Sequence, residues 1–286
     1  MERFSTIVRT VRENSSVWFS RISIIIILTF IFFIAGGGIS HNSKWRVEQI
    51  EIKGAKSVSV DVMRSLIRQQ IAGNYYFVYA RDNSHLLPRK EIVQMLLETF
   101  PRLASVVVER TDDHTLVFTV SERNPYALWC GAEKSLVQAE EKVCWFIDAH
   151  GFVFDHAPLF SEGVYVEIYG TLTEQNINEP LRGTLPKNRF DSATRVMTQM
   201  QEDIGKPAIL EMKAENELTA RVYSSKKYPF LSGVLIRFKD ESVAEDLVKN
   251  LKSAIAVQFP ANTALEKRLL YIDMRFGNKV IFGFEN

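Results

Sequence analysis

The sequence ISIIIILTFIFFIAGGGI at residues 22–39 contains no charged side chain over 18 positions, and a long chain of ordinary polarity follows it. An apolar run of about this length is the shortest that crosses a bilayer as a helix. Four arginines precede the run, and positive residues on a short flank stay in the cytoplasm. The sequence therefore predicts a transmembrane helix over residues 22–39, a cytoplasmic tail over residues 1–21, and an extracytoplasmic remainder.

A cleaved signal peptide is the alternative interpretation of this run. Its apolar part is longer than the usual hydrophobic region of a signal peptide, and it has no tidy small-x-small site followed by a mature start. These features favour a retained single-pass anchor in contact with membrane lipid. A polar linker at residues 40–45 follows, and its Trp45 suits the outer membrane interface.

The composition after the anchor is that of ordinary folded domains. The apolar fraction is 46% and the charged fraction is 24%. A net charge of +1 argues against a nucleic-acid surface, which is normally basic. About 240 residues follow the anchor, and this length favours two domains over one.

Motifs that carry chemistry are missing from the sequence. It contains no dinucleotide fingerprint, phosphate loop, zinc-ligand spacing or nucleophile elbow. Asp148 and Asp155 come closest to a carboxylate pair, but aspartate at the end of a strand usually serves a turn. The sequence therefore predicts no enzyme activity, no catalytic residue, no metal site, no cofactor and no nucleic-acid partner.

The two cysteines lie in matching surroundings. Cys130 follows a tryptophan and Cys144 precedes one, and a largely polar segment separates the two apolar runs. This pattern predicts two antiparallel strands joined by a loop. In an extracytoplasmic compartment such a pair favours a disulfide, and two buried free thiols are the alternative.

Residues 46–123 read as strand, helix, helix, strand, strand. A strand with alternating polarity covers residues 47–53, Ser59 suits the N-cap of a first helix, and Pro88 opens a second helix. Residues 103–110 and 115–122 then form a hairpin. This order predicts a three-stranded sheet covered by two helices.

The same order resembles a POTRA domain, a small module with which extracytoplasmic proteins bind other chains. The phrases that carry the resemblance are Val47-x-x-Ile50-x-Ile52-x-Gly54, then Phe100-Pro101-x-Leu103-Ala104-Ser105-Val106-x-Val108-x-Arg110, and the exit Val120-Ser121-Glu122-Arg123-Asn124-Pro125. The resemblance implies the β-α-α-β-β fold for residues 46–123.

Three further phrases resemble the bacterial cell-division family FtsQ/DivIB. They are Glu122-Arg123-x-Pro125-x-Ala127-x-Trp129, then Ile147-Asp148-x-x-Gly151-x-Val153-Phe154, and Tyr271-Ile272-Asp273-Met274-Arg275-Phe276 near the C-terminus. Together with the anchor and the POTRA-like order, the resemblance covers residues 22–286. The cysteine pair and the loop between the cysteines depart from the family pattern.

Membership of this family implies a non-enzymatic scaffold of the division machinery that supports septum formation. The implied partners are FtsB/DivIC-type and FtsL-type single-pass proteins and other membrane proteins of the divisome. Two alternatives remain open. A membrane-tethered cell-wall enzyme would need a catalytic constellation, and a POTRA-type assembly factor would need a run of amphipathic barrel strands.

Residues 124–286 predict a mostly β domain with two helices, so the expected fold class is α+β. One helix covers residues 190–204, and the other begins at Asp240 or Ser242 and ends near residue 259. Residues 269–276 and 279–284 predict a closing hairpin with Gly277-Asn278 as its turn.

The closing hairpin is the predicted partner-binding site, because an exposed strand edge is a template for another strand. On its first strand, Leu270, Ile272, Met274 and Phe276 share one face, which we expect to be core. The predicted site residues are Tyr271, Asp273, Arg275, Phe276, Lys279, Val280, Ile281 and Phe282. Completion of the sheet without a partner is the alternative role.

Overall fold

The structure is a computed structural model that describes residues 2–112, 114–134, 142–173, 180–260, 267–277 and 279–286, with side chains from residue 18 onward. It has a mixed α+β fold with an N-terminal apolar helix and a large β-sheet, as the sequence predicts. Two compact units divide the chain, Met1–Glu122 and Arg123–Asn286.

The first helix, α1, covers Glu2–Ser40 and is therefore longer than the predicted 22–39. It begins early because no proline occurs before Pro88 and no glycine before Gly36. Its part Trp18–Ser40, 23 residues with a mean hydropathy of 2.6, is long and apolar enough to cross a membrane. Only 6% of that apolar stretch is buried in the protein, so α1 is not a core helix.

The remainder of the first unit follows the predicted order and adds a short hairpin between the two helices. A single turn of 3-10 helix at Ser43–Trp45 leads into it. Its elements are β1 (Gln49–Lys53), α2 (Val60–Ile71), β2 (Asn74–Tyr75), β3 (Tyr79–Ala80), α3 (Arg89–Thr99), β4 (Leu103–Arg110) and β5 (Thr115–Glu122). The sheet order is β1-β5-β4, with β1 parallel and β4 antiparallel to the central β5.

Local signals explain the small sheet and its helices. The Ser59 hydroxyl accepts the backbone N–H of Val62 at 3.4 Å, which caps α2 as the sequence predicts. Apolar residues at helical spacing then turn one face of each helix toward the sheet. The buried residues of the two helices are Met63, Ile67, Ile71, Ile92 and Leu96, and they share one core with Leu116 and Phe118 of β5.

In its described residues, the second unit is a nine-stranded mixed sheet with two helices. Its strands are β6 (Ala127–Trp129), β7 (Cys144–Ile147), β8 (Val153–Ala157), β9 (Glu167–Tyr169), β10 (Lys206–Met212), β11 (Glu217–Ser224), β12 (Leu235–Lys239), β13 (Leu269–Phe276) and β14 (Lys279–Phe284). Their order is β14-β13-β12-β11-β10-β9-β6-β7-β8. The helices α4 (Lys187–Asp203) and α5 (Ala244–Gln258) pack against each other and share the main core with the sheet.

The start of α5 differs from the prediction. Its N-cap is Val243, which makes no side-chain capping bond, so neither Asp240 nor Ser242 caps the helix. The Asp240 carboxylate instead accepts a hydrogen bond from the Arg189 guanidinium at 2.9 Å. The Asp240 side chain, which the local pattern predicts as an N-cap, thus forms a long-range ion pair instead.

Candidate functional site

The closing hairpin forms with the predicted strand bounds, Leu269–Phe276 and Lys279–Phe284. Phe276 pairs with Lys279, so a two-residue link joins the strands. Asn278, half of the predicted turn, lies outside the described residues. The hairpin places β14 at one end of the sheet.

Among the described strands, β14 and β8 are the two edges of the nine-stranded sheet. The β8 edge is partly covered, because the Val153 backbone bonds Gly183 at 2.8 Å and Arg182 at 2.7 Å. Within the described residues, no backbone hydrogen bond reaches β14 from the side opposite β13. Among the described residues, β14 is therefore the edge that no backbone hydrogen bond covers, whereas β8 is covered at Val153.

The side chains of β13 do not alternate as the sequence predicts. Ile272 and Met274 lie in the core, but Leu270 is 40% exposed and Phe276 is 56% exposed. The pairing of β13 with β14 shifts register near both ends of β13, and each shift breaks the two-residue period. The expectation that Leu270 and Phe276 belong to the core is therefore wrong.

Asp273 and Arg275 are committed to each other. The Arg275 Nη2 donates to Asp273 Oδ2 at 2.6 Å and its Nε donates to Oδ1 at 2.9 Å, while Nη1 donates to Glu217. These hydrogen bonds from Arg275 lower the pKa of the buried Asp273 carboxyl, and the two carboxylates raise the pKa of Arg275. Through Glu217, Arg275 also joins β13 to β11. Both carboxylate oxygens of Asp273 already accept hydrogen bonds from Arg275, so Asp273 is not offered to a partner.

Tyr271 is half-buried and lies across the edge strand. Its ring lies under the Arg237 guanidinium carbon at 4.4 Å from the centroid. A Cβ atom at the paired Gly283 would lie 2.2 Å from this ring, so glycine is required for the ring to occupy that place. The Tyr271 ring therefore packs against β14 at Gly283.

The residues of β14 divide between core and solvent. Val280, Phe282 and Phe284 pack against the main core, and the rings of Phe282 and Phe259 lie 5.4 Å apart. Lys279 is exposed and Ile281 is 45% exposed. Of the eight predicted site residues, the structure presents Phe276, Lys279 and Ile281 to solvent.

Two residues of the family-like exit phrase have structural roles that the sequence analysis did not identify. The Glu122 carboxylate accepts the backbone N–H groups of Lys56, Ser57 and Val58 at 2.6, 2.8 and 3.1 Å. Arg123 pairs with Asp148 and lies over the Phe152 ring at 4.1 Å. No periodic pattern signals either contact, because each joins segments far apart in the chain.

The predicted turn role of Asp148 is confirmed. Its Oδ1 accepts the backbone N–H of His150 at 2.8 Å and of Phe152 at 3.1 Å between β7 and β8. Asp155 accepts the N–H of the adjacent His156 at 2.8 Å. Asp155 lies in the middle of β8 and not at a strand end, so the turn role predicted for it is wrong.

A disulfide joins Cys130 to Cys144 in the structure. Trp129 of β6 pairs with Trp145 of β7, so the two cysteines meet at the ends of an antiparallel pair, which is the arrangement that the sequence pattern predicts. Residues 135–141 of the loop lie outside the described residues. The bond closes that loop at its base.

The described residues include no group of three or more His, Cys, Asp and Glu side chains placed to hold a metal ion. A cleft of about 490 Å³ lies beside Tyr169 and Met212. Its Arg189 is occupied by Asp240 and by the carbonyl oxygen of Lys213, at 2.7 Å from the latter. Three charged groups of the cleft thus have structural partners, because Lys213 also pairs with Glu211.

A scan against protein-family models and a search of curated proteins each found no match to this chain. The POTRA and FtsQ/DivIB resemblances thus stay predictions from the sequence phrases. The observation that bears on function is the geometry of the closing hairpin.

Proposed function

We propose that this protein is a non-enzymatic, single-pass scaffold of the bacterial division machinery, with residues 46–123 as a POTRA domain. Its partners are single-pass proteins of the FtsB/DivIC and FtsL types, which bind outside the cytoplasmic membrane. The open β14 edge carries the proposal, and the family-like sequence phrases support it.

Strand addition fits the chemistry of the β14 edge. The strand has six residues, enough for several main-chain hydrogen bonds to an added strand. The exposed Ile281 and Phe276 offer apolar contacts beside those bonds, and Lys279 offers a charge. Main-chain pairing would give affinity, and these three side chains would give selectivity.

The proposed topology rests on charge and redox chemistry. Four arginines precede the apolar stretch, which favours a cytoplasmic N-terminus. The Cys130–Cys144 disulfide suits an oxidising compartment on the other side of the membrane. An extracytoplasmic sheet would meet the extracytoplasmic parts of other single-pass proteins.

Hydrogen exchange on the unmodified protein tests the proposal. Full-length protein in nanodiscs is mixed with an FtsB/DivIC-type partner from the same bacterium, and exchange is followed by mass spectrometry. We expect slower exchange in peptides that cover Lys279–Phe284 and unchanged exchange in Val153–Ala157 of the opposite edge. Unchanged exchange in β14 at saturating partner, or protection of β8 instead, would remove the basis of the proposal.

A pair of prolines separates main-chain from side-chain binding. Neighbouring residues in a strand point their N–H groups to opposite sides, so proline at Val280 or at Ile281 removes an outward donor. The matched alanine variants keep the N–H. Loss of one such bond costs about 1–3 kcal/mol when its acceptor stays buried, so the proline that removes the outward N–H should weaken binding about 5- to 150-fold. Equal affinity of each proline and its alanine control, in folded protein, would contradict strand addition.

A further inference from the structure

The hairpin formed by β2 and β3 carries an exposed aromatic tip. The Phe77 side chain is 98% exposed and Tyr76 is 80% exposed. Both residues have a left-handed backbone conformation, with φ of 65° at Phe77 and 48° at Tyr76. Hairpin turns with this conformation favour asparagine and glycine. A soluble surface gives no reason for two bulky aromatic residues at these positions, so the tip needs a separate explanation.

The hairpin packs directly against the end of α1. The Tyr79 hydroxyl donates to the Phe33 carbonyl at 3.0 Å, and the two rings lie 5.0 Å apart. The Ala80 N–H donates to Ser40 Oγ at 3.0 Å, and a ring nitrogen of His41 lies 3.0 Å from the Val78 carbonyl oxygen. These contacts hold the hairpin alongside the apolar helix.

The glycines at the end of α1 make this approach possible. A Cβ atom at Gly37 would lie 1.9 Å from Val78 Cγ1, and one at Gly36 would lie 2.9 Å from the Tyr79 hydroxyl. Gly36 and Gly37 therefore allow the hairpin to pack closely against α1. The third, Gly38, has open space around its Cβ position.

The hairpin overlaps the stretch of α1 that is apolar enough to cross a membrane. Phe33 lies seven residues before the end of that stretch at Ser40, and a helix rises about 1.5 Å per residue. The Tyr79 hydroxyl thus reaches about 10 Å below the end of the stretch. Residues 73–80 contain no charged side chain that would oppose this depth.

We propose that the β2–β3 hairpin inserts its tip, Tyr76 and Phe77, into the outer interfacial layer of the lipid bilayer beside α1. The inference rests on the proposed single-pass anchor and adds a second membrane contact to it. Aromatic side chains favour this layer, where one end of the ring is apolar and the other is wet. Lipid is the occupant because the hairpin packs against the part of α1 that is apolar enough to cross a membrane.

Two backbone N–H groups that flank the tip have partners within the protein. The Val78 N–H donates to the Tyr75 carbonyl at 3.0 Å, and the Ala80 N–H has its partner on Ser40. Polar backbone groups near lipid need such internal partners. Insertion would fix the first unit at the membrane surface at two points in place of one.

Site-specific fluorescence in vesicles tests the proposal. A single cysteine replaces Phe77, Phe32 or Val62 in the full-length chain and is labelled with an environment-sensitive dye. The native Cys130 and Cys144 form a disulfide and do not react. Vesicles of phosphatidylethanolamine and phosphatidylglycerol contain lipids with a nitroxide high on the acyl chain. Phe32, 81% exposed on α1, reports the anchor, and Val62, 50% exposed on α2, is the matched aqueous control.

We expect the labels at Phe77 and Phe32 to shift to the blue and lose most of their fluorescence to the lipid nitroxide, while the label at Val62 stays quenchable by aqueous iodide. Quenching at Phe32 with Phe77 behaving like Val62 would overturn the hairpin proposal and leave the anchor intact. Absence of quenching at both would overturn the anchor as well. A label at Phe77 shielded from both quenchers would show a protein cover and would also overturn lipid insertion.

Discussion

Replacing Glu122 with glutamine tests how the first unit is held together at the end of β5. The side chain is 7% exposed and binds three consecutive backbone N–H groups ahead of α2. Burial by itself raises the pKa of Glu122, but the three donors outweigh it and lower the pKa from 4.5 to about 2. The charged carboxylate is therefore the form that the fold stabilises.

The magnitude follows from the size of that pKa shift. Lowering the pKa of Glu122 from 4.5 to about 2 contributes about 3 kcal/mol to the free energy of unfolding at neutral pH, because each tenfold change in the ionisation constant is worth about 1.4 kcal/mol. Because the pKa is lower in the folded state, the contribution is present above about pH 4.5 and is lost as the pH falls toward about 2. Glutamine keeps one oxygen acceptor without the charge, so we expect Glu122→Gln to cost about 2–3 kcal/mol at pH 7.

The assay is urea unfolding of the full-length protein in detergent, followed by a brief hydrogen-exchange pulse at fixed pH on peptides of β4 and β5. Glu109→Gln, at an exposed position on β4, is the matched control. The difference between wild type and Glu122→Gln should shrink as the equilibration pH is lowered from 5 to 3. An equal effect of both substitutions at pH 7, or a difference that does not shrink in acid, would refute the reasoning.

Three further outcomes are expected in the second unit. Arg275→Ala should lower the free energy of unfolding by about 3 kcal/mol in urea titrations, because it leaves a buried carboxylate without its cation. The double variant Cys130→Ser, Cys144→Ser should lose about 3 kcal/mol in the same assay, since the disulfide closes a loop of about 15 residues. Gly283→Ala should cost about 1–3 kcal/mol in thermal unfolding by forcing the Tyr271 ring aside, whereas equal stability would mean that the ring moves freely.

The first unit follows closely from its sequence because each element carries a local signal. The Ser59 cap starts α2, and the two strands of the β4–β5 hairpin have the bounds that their alternating residues predict. The β2–β3 hairpin is the exception. It depends on contacts with Ser40 and Phe33 of α1, which lie 40 and 46 positions away in the sequence, and no local pattern encodes them.

The second unit was less predictable because bulges and long-range pairs override its local patterns. β10 has no counterpart among the strands expected from the sequence, and it contains Pro207, which the structure places at a register shift in the pairing with β11. Register shifts in β13 likewise expose Leu270. Arg275 reaches Glu217 across 58 residues of sequence, a contact that alternation alone cannot indicate.

The sequence predicts where the closing hairpin lies, but not which of the eight predicted site residues are exposed. Alternation and the Gly277 turn are enough to locate the closing hairpin. Which edge is open depends on the strand order and on residues 182–183 covering β8. Asp273 is buried in an ion pair with Arg275, and this arrangement can be known only from the folded sheet.

Photo-crosslinking in living cells tests most directly the claim that β14 is a partner-binding edge of a division scaffold. A photoreactive phenylalanine analogue replaces Ile281 in the full-length chain, and a second variant carries it at the exposed His156 on the opposite edge strand. We predict a light-dependent covalent product between the Ile281 variant and an FtsB/DivIC-type protein, with none from His156. A product from His156 alone, or no division protein captured at Ile281 in cells that divide normally, would contradict the account.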